Sequence, residues 1–149
     1  MGCGCQDTSL TTIPVPINCP TGNPCSEMVS SNCIQKSRLN VDIASLNLGL
    51  LAPYNIPDIL GVTFNGASFG NVPVTITFPS KTQMQPNVIV EFAIKDEAFY
   101  ANVNNIILVP GAGTLIEGSS ANKIMTVIGQ AFCFYYDGNG NYFIKSANP

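Results

Sequence analysis

The chain has 149 residues, 46% hydrophobic and only 10% charged, with six Lys and Arg against nine Asp and Glu and no His. No basic run exists to neutralise phosphates, and the five Tyr and eight Phe are not interleaved with Arg as stacking platforms, so nucleic-acid binding is disfavoured. Catalysis by His is excluded, and a surface so poor in charge suits a protein that shares it within an assembly.

The length allows one domain with a real core, or a smaller domain plus an arm. No run approaches the roughly twenty apolar residues of a membrane span, so no membrane partner is expected. The start MGCGCQDTSL lacks an apolar h-region, which argues against unaided secretory export, and Gln6 departs from the myristoylation pattern. Residues 1–38 are expected to form an extended Cys/Pro-rich arm. Pro14, Pro16, Pro20 and Pro24 favour polyproline-like backbone, and large apolar side chains are too few there to offset the entropy of ordering. Only SEMVSSN (26–32) suggests a helical turn, with Ser26 as N-cap. Cys3, Cys5, Cys19, Cys25 and Cys33 crowd this arm, without a Cys-x-x-Cys pair. The usual zinc spacings are therefore absent and no metal or other cofactor is expected, four-thiolate coordination being an alternative without support from spacing. Disulfides and free thiols both remain open for these five.

From residue 39 to 149, apolar runs punctuated by turn residues indicate the folded domain. LNVDIASLNLGLL fits either period, and NIPDILG is expected to hold one helical turn closed by Gly61. VTFNGASF reads as a hairpin on Asn65-Gly66. In VPVTITF, Val72, Val74, Ile76 and Phe78 share one face, and in NVIVEFAIK, Val88, Val90, Phe92 and Ile94 do the same, predicting strands with one buried face each. NNIILVPG predicts a strand buried on both faces and ended by Pro110-Gly111. GTLIEGSSANKIMTVIG predicts two short strands about a turn.

The last element, FCFYYDGNGNYFI, poses a choice. An EF-hand loop would use Asp137, Asn139 and Asn141, but then needs Gly where Tyr142 stands and Glu where Asn148 stands. Asp-Gly and Asn-Gly between aromatic strands predict a hairpin instead. Phe132, Phe134 and Tyr136 occupy one face of its first strand, Cys133 and Tyr135 the other. Such a strand is central in a sandwich or pressed against another subunit, which makes Phe132, Tyr135 and Phe143 interface candidates. Cys133 reads as a small buried hydrophobe. Short strands at even intervals, with no sustained 3.6 period, predict an all-β fold: an antiparallel sandwich or jelly-roll-like domain.

Glu91, Asp96, Glu97, Glu117 and Asp137 are the carboxylates that an acid and base pair would have to come from. Their neighbours point them to solvent, and no Gly-x-Ser-x-Gly, phosphate loop or dinucleotide fingerprint occurs. No enzymatic role is expected.

NNIILVPGAGTLIEGSSANKIMTVIGQAFCFYYDGNGNYFI resembles the closing module of tailed-phage fibre and capsid-decorating proteins. NCPTGNPCSEMVSSNCI, with Cys19, Cys25 and Cys33, is similar to the Cys-punctuated arms that precede such modules. The resemblance implies a non-enzymatic virion protein, assembled in the host cytoplasm, commonly homotrimeric and docked to head or tail proteins through its arm. The alternatives are a receptor-binding module at a fibre tip, which exposed aromatics beside Asn and Asp on a loop cluster would favour, and a glycan-cleaving enzyme, which a buried carboxylate pair in a groove would support.

Overall fold

The computed structural model describes residues 35–148; the arm with Cys19, Cys25 and Cys33, and the turn expected at 26–32, lie outside them. The described chain is all-β. Its strands are β1 (Arg38–Val41), β2 (Ser45–Asn47), β3 (Ile59–Val62), β4 (Val74–Thr77), β5 (Val90–Asp96), β6 (Ile106–Val109), β7 (Leu115–Ile116), β8 (Lys123–Met125), β9 (Ala131–Tyr136) and β10 (Asn141–Asn148). Helix among the described residues is confined to single 3-10 turns at Leu48–Leu50, Ala67–Phe69 and Lys81–Gln83.

Two sheets enclose one core. A six-stranded sheet has the order β1-β3-β5-β9-β10-β7, and a four-stranded sheet the order β2-β4-β6-β8. The first six strands alternate between the sheets, and each pairs in parallel with its counterpart one coil later: β1 with β3, β3 with β5, β2 with β4, and β4 with β6. That is a β-solenoid. It closes with strands that reverse direction, β8 against β6, β9 against β5, and the β9–β10 hairpin.

The antiparallel expectation therefore gives way to mixed sheets. Period-two patterning tells a strand which face to bury but not which neighbour to take. Val74, Ile76, Phe78, Phe92 and Ile94 are buried as the alternation requires, whereas Val72 and Val90 are half-buried and Val88 is exposed; β4 and β5 moreover lie in different sheets. The Asn65-Gly66 hairpin is corrected for the same reason. Gly66 does adopt φ 69°, and Asn65 Oδ1 accepts the Ala67 amide at 2.9 Å. The turn chemistry serves instead a corner that carries the chain from β3 to β4 in the other sheet, about 10 Å away. The helical turn closed by Gly61 is also overturned. Gly61 sits mid-strand in β3 with strands on both sides, and a Cβ there would collide with the ion-paired Arg38 and Glu97 side chains that meet above it. The two short strands around residue 119 exist but belong to different sheets. β6 buries Ile106 and Leu108, while Ile107 and Val109 are only half-buried.

An aromatic cluster fills the core beneath the terminal hairpin. The Phe78 ring makes edge contacts with Phe92, Phe134 and Tyr142 at centroid distances of 5.4, 5.1 and 4.9 Å. Tyr142 is buried, and its hydroxyl donates to the Pro79 carbonyl at 3.1 Å. Burial, followed by the neighbouring Tyr136, pushes the Tyr142 phenol far up, so it remains a donor at all ordinary pH.

The terminal hairpin forms as expected. Tyr136 pairs with Tyr142, and Gly138 and Gly140 adopt φ 80° and 109°. Asp137 Oδ1 accepts the amides of Asn139 at 2.7 Å and Asn141 at 2.9 Å, so this carboxylate caps its own turn. Burial pushes the Asp137 carboxyl up, but the amides of Asn141 and Asn139 outweigh it and hold the group below its usual range. A depressed carboxyl contributes stability above its unfolded pKa and loses it as pH falls through the folded one. Asp137→Asn is therefore expected to flatten the stability loss below about pH 4; denaturant titrations of both proteins across that range check it, and identical acid profiles would remove the role given to Asp137.

Candidate functional site

Because β1, β3 and β5 run parallel side by side, the connections leaving their C-terminal ends turn the same edge of the solenoid. These are residues 42–44, 63–73 and 97–105. The β8–β9 connection, 126–130, enters β9 at that edge too, since β9 is antiparallel to β5. Eleven large apolar side chains are exposed among the described residues, and six of them, Ile43, Phe69, Phe99, Val103, Val127 and Ile128, lie on these four connections. Loops normally put polar residues at such places, so a row of apolar ones makes this edge the candidate site.

The centre of the row is Phe99, 59% exposed. Its backbone is left-handed, with φ 55°. The other non-glycine residues at positive φ among the described residues are Asn71, Asn87 and Glu117. Asn tolerates this region, whereas a bulky aromatic is strained there by about 1–3 kcal/mol. The fold accepts that cost in order to hold a large apolar side chain outward.

A buried carboxylate holds it there. Asp96, 1% exposed, ends β5, and its Oδ2 accepts the amides of Tyr100 at 3.0 Å, Ala101 at 3.1 Å and Gly129 at 3.0 Å. One oxygen thus ties the tip after Phe99 to the neighbouring 126–130 connection. Gln130 Oε1 completes the second loop by accepting the Thr126 amide at 3.0 Å. Gly129, at φ 69°, lies against the Phe99 ring, where an added Cβ would stand 3.2 Å from it. The expectation that Asp96 faces solvent is corrected: it continues the inward face of Phe92 and Ile94 and is satisfied by backbone donors.

Glu97, Glu91 and Glu117 are engaged as well. Glu97 pairs with both guanidinium nitrogens of Arg38, a hydrogen bond that, against partial burial, holds its carboxyl below the usual range. Glu91 pairs with Lys145 at 3.2 Å, and Glu117 accepts the Ile144 amide at 3.2 Å. No group of three or more metal-ligating side chains occurs among the described residues.

The interface residues anticipated from sequence fall elsewhere. Phe132 faces the core at 6% exposed, with its ring 5.9 Å from Phe134. Tyr135 and Phe143 pair on the outer face of the six-stranded sheet, 5.5 Å apart, half-buried beside the Glu91–Lys145 pair. Cys133 lies on that outer face, partly exposed, instead of in the core. None of these joins the edge. The signal for the edge was present in sequence as apolar residues inside turn segments, AFYANV and TVIG, but which turns share an edge depends on parallel pairing.

The chain matches no family model and no curated protein.

Proposed function

We propose that this chain is a non-enzymatic structural component of a bacteriophage particle whose β-domain self-associates through the apolar edge centred on Phe99. The virion assignment, the trimeric state and attachment to head or tail proteins through residues 1–38 come from the resemblance of the closing module and the Cys-punctuated arm. The self-association comes from the edge. Its carrying observation is that the most exposed aromatic in the 97–105 connection stands at φ 55° in a tip that a buried carboxylate ties, through the Tyr100, Ala101 and Gly129 amides, to the neighbouring connection. Strain kept at a solvent-facing apolar side chain has no benefit for an isolated monomer. The engagement of Glu91, Asp96, Glu97, Glu117 and Asp137 in turns, loops and ion pairs supports a scaffold over a hydrolase.

Phe99→Asn separates the two uses of this residue. Asn is at ease at positive φ, so the domain should keep its stability or gain up to about 1 kcal/mol. Assembly should fail, because an apolar anchor at the centre of an interface is worth about 2 kcal/mol or more. Light scattering on the full chain at micromolar concentration is expected to show an oligomer for the parent and a smaller species for Phe99→Asn. An unchanged mass in a variant of unchanged stability would overturn the edge as the contact surface.

A further inference from the structure

Where the 42–44 and 63–73 connections meet, at the far end of the same edge from Phe99, the surface is not uniformly apolar. The Phe64 and Phe69 rings stack with centroids 5.9 Å apart and an interplanar angle of 19°. Phe69 is 69% exposed. Its turn is fixed from within, since the Gly66 carbonyl accepts the Phe69 amide at 2.9 Å and the Asn71 amide at 3.1 Å. Two hollows share this ring pair and Asp42. One, of about 240 Å³, adds Thr63, Asn65 and Ser68; the other, of about 400 Å³, adds Ile43, Ala44 and Val72. A rigid aromatic platform is thus flanked by a hydrogen-bonding hollow on one side and an apolar one on the other.

We propose that this cleft binds a neutral carbohydrate, one ring stacking on Phe69 with its hydroxyls turned toward Asp42, Asn65 and Ser68. A pyranose presents an apolar C–H face and a rim of hydroxyls, and the two sides of the cleft match those two properties. A purely apolar occupant would desolvate Thr63, Asn65 and Ser68 without replacing their hydrogen bonds. An anionic occupant would meet the Asp42 carboxylate, which no described residue pairs, with no Lys or Arg in either hollow to offset it. Asp42 accepts from hydroxyls in charge-assisted hydrogen bonds, the strongest such contacts available to a sugar. The Asn65 side chain keeps its Nδ2 as a donor, because its Oδ1 is already taken by the Ala67 amide. The inference does not rest on self-association, which is assigned to the other end of the edge, Phe99, Val103, Val127 and Ile128, none of which lines either hollow.

The test is saturation-transfer NMR on the full chain with methyl α-glucoside, methyl β-galactoside, N-acetylglucosamine and the anionic sugar sialic acid. At least one neutral sugar is expected to bind with Kd on the order of 1 mM, receiving transfer on its C–H face. Phe69→Ala and Asp42→Asn should each weaken it about tenfold or more, whereas Phe99→Asn should leave it unchanged. Retention of binding in Phe99→Asn together with loss of assembly would support the sugar site and the edge separately. Silence from all three neutral sugars at tens of millimolar, sialic acid binding as well as they do, or binding indifferent to Phe69→Ala would each overturn the proposal.

Discussion

Replacing Phe78 by Ala is expected to destabilise the domain by about 3–5 kcal/mol, the usual cost of deleting a fully buried aromatic. The site has little capacity to collapse. Phe78 is 1% exposed, and three rings, Phe92, Phe134 and Tyr142, rest on it edge-on, so the removed ring leaves a void bounded by stiff side chains. It also joins the two sheets: Phe78 follows β4 in one, while its partners belong to β5, β9 and β10 in the other. A native domain holds only about 5–15 kcal/mol in reserve. The melting temperature should therefore fall on the order of 10–20 °C, while Phe78→Leu should cost less than half as much. Equal effects of the two substitutions would show that the ring contacts add nothing to simple apolar volume.

Asp96→Ala is expected to cost a similar amount, about 3–5 kcal/mol, for a different reason. The loss is not of packing but of an acceptor, leaving the amides of Tyr100, Ala101 and Gly129 without a described partner in a region too enclosed for full hydration. Asp96→Asn should cost less, about 1–3 kcal/mol, because an amide oxygen placed at Oδ2 has two lone pairs and still takes two of the three donors. The pair therefore predicts a split in function as well as stability. Asp96→Asn keeps Phe99 presented and should assemble; Asp96→Ala releases both connections and should not. Chemical denaturation and light scattering on the two variants check this, and an Ala variant as stable as its parent would remove Asp96 from the account.

Much of the fold was legible because burial patterns are local. The inner positions of VPVTITF and NVIVEFAIK from Val74 to Phe78 and from Phe92 to Ile94, the Asp-Gly hairpin and the lack of long helix among the described residues all follow from residues within one segment. The partner of each strand was not legible, because parallel pairing is decided by a chain that leaves one sheet, crosses to the other and returns, and no short-range residue pattern encodes that return. Asn65-Gly66 shows the difference: its φ requirement was read correctly, yet the same turn can close a hairpin or turn a solenoid corner. Gly61 shows it again, since a glycine that could end a helix instead makes room for Arg38 and Glu97 to meet across a central strand. The candidate edge was the least legible. Phe132, Tyr135 and Phe143 stood out because they lie in a conspicuous aromatic hairpin, whereas Phe99, Val127 and Ile128 lie in two separate turns that only the β5–β9 pairing brings to one edge.

Contact between copies of the chain through this edge can be followed by amide hydrogen exchange on the full chain as a function of its concentration. Amides in 97–103 and 126–130 are expected to gain protection as concentration rises through the assembly range, while core amides of β4 and β5 exchange at the same rate throughout. Exchange at 97–103 and 126–130 that does not change with concentration, in a sample whose mass shows it has assembled, would contradict the account.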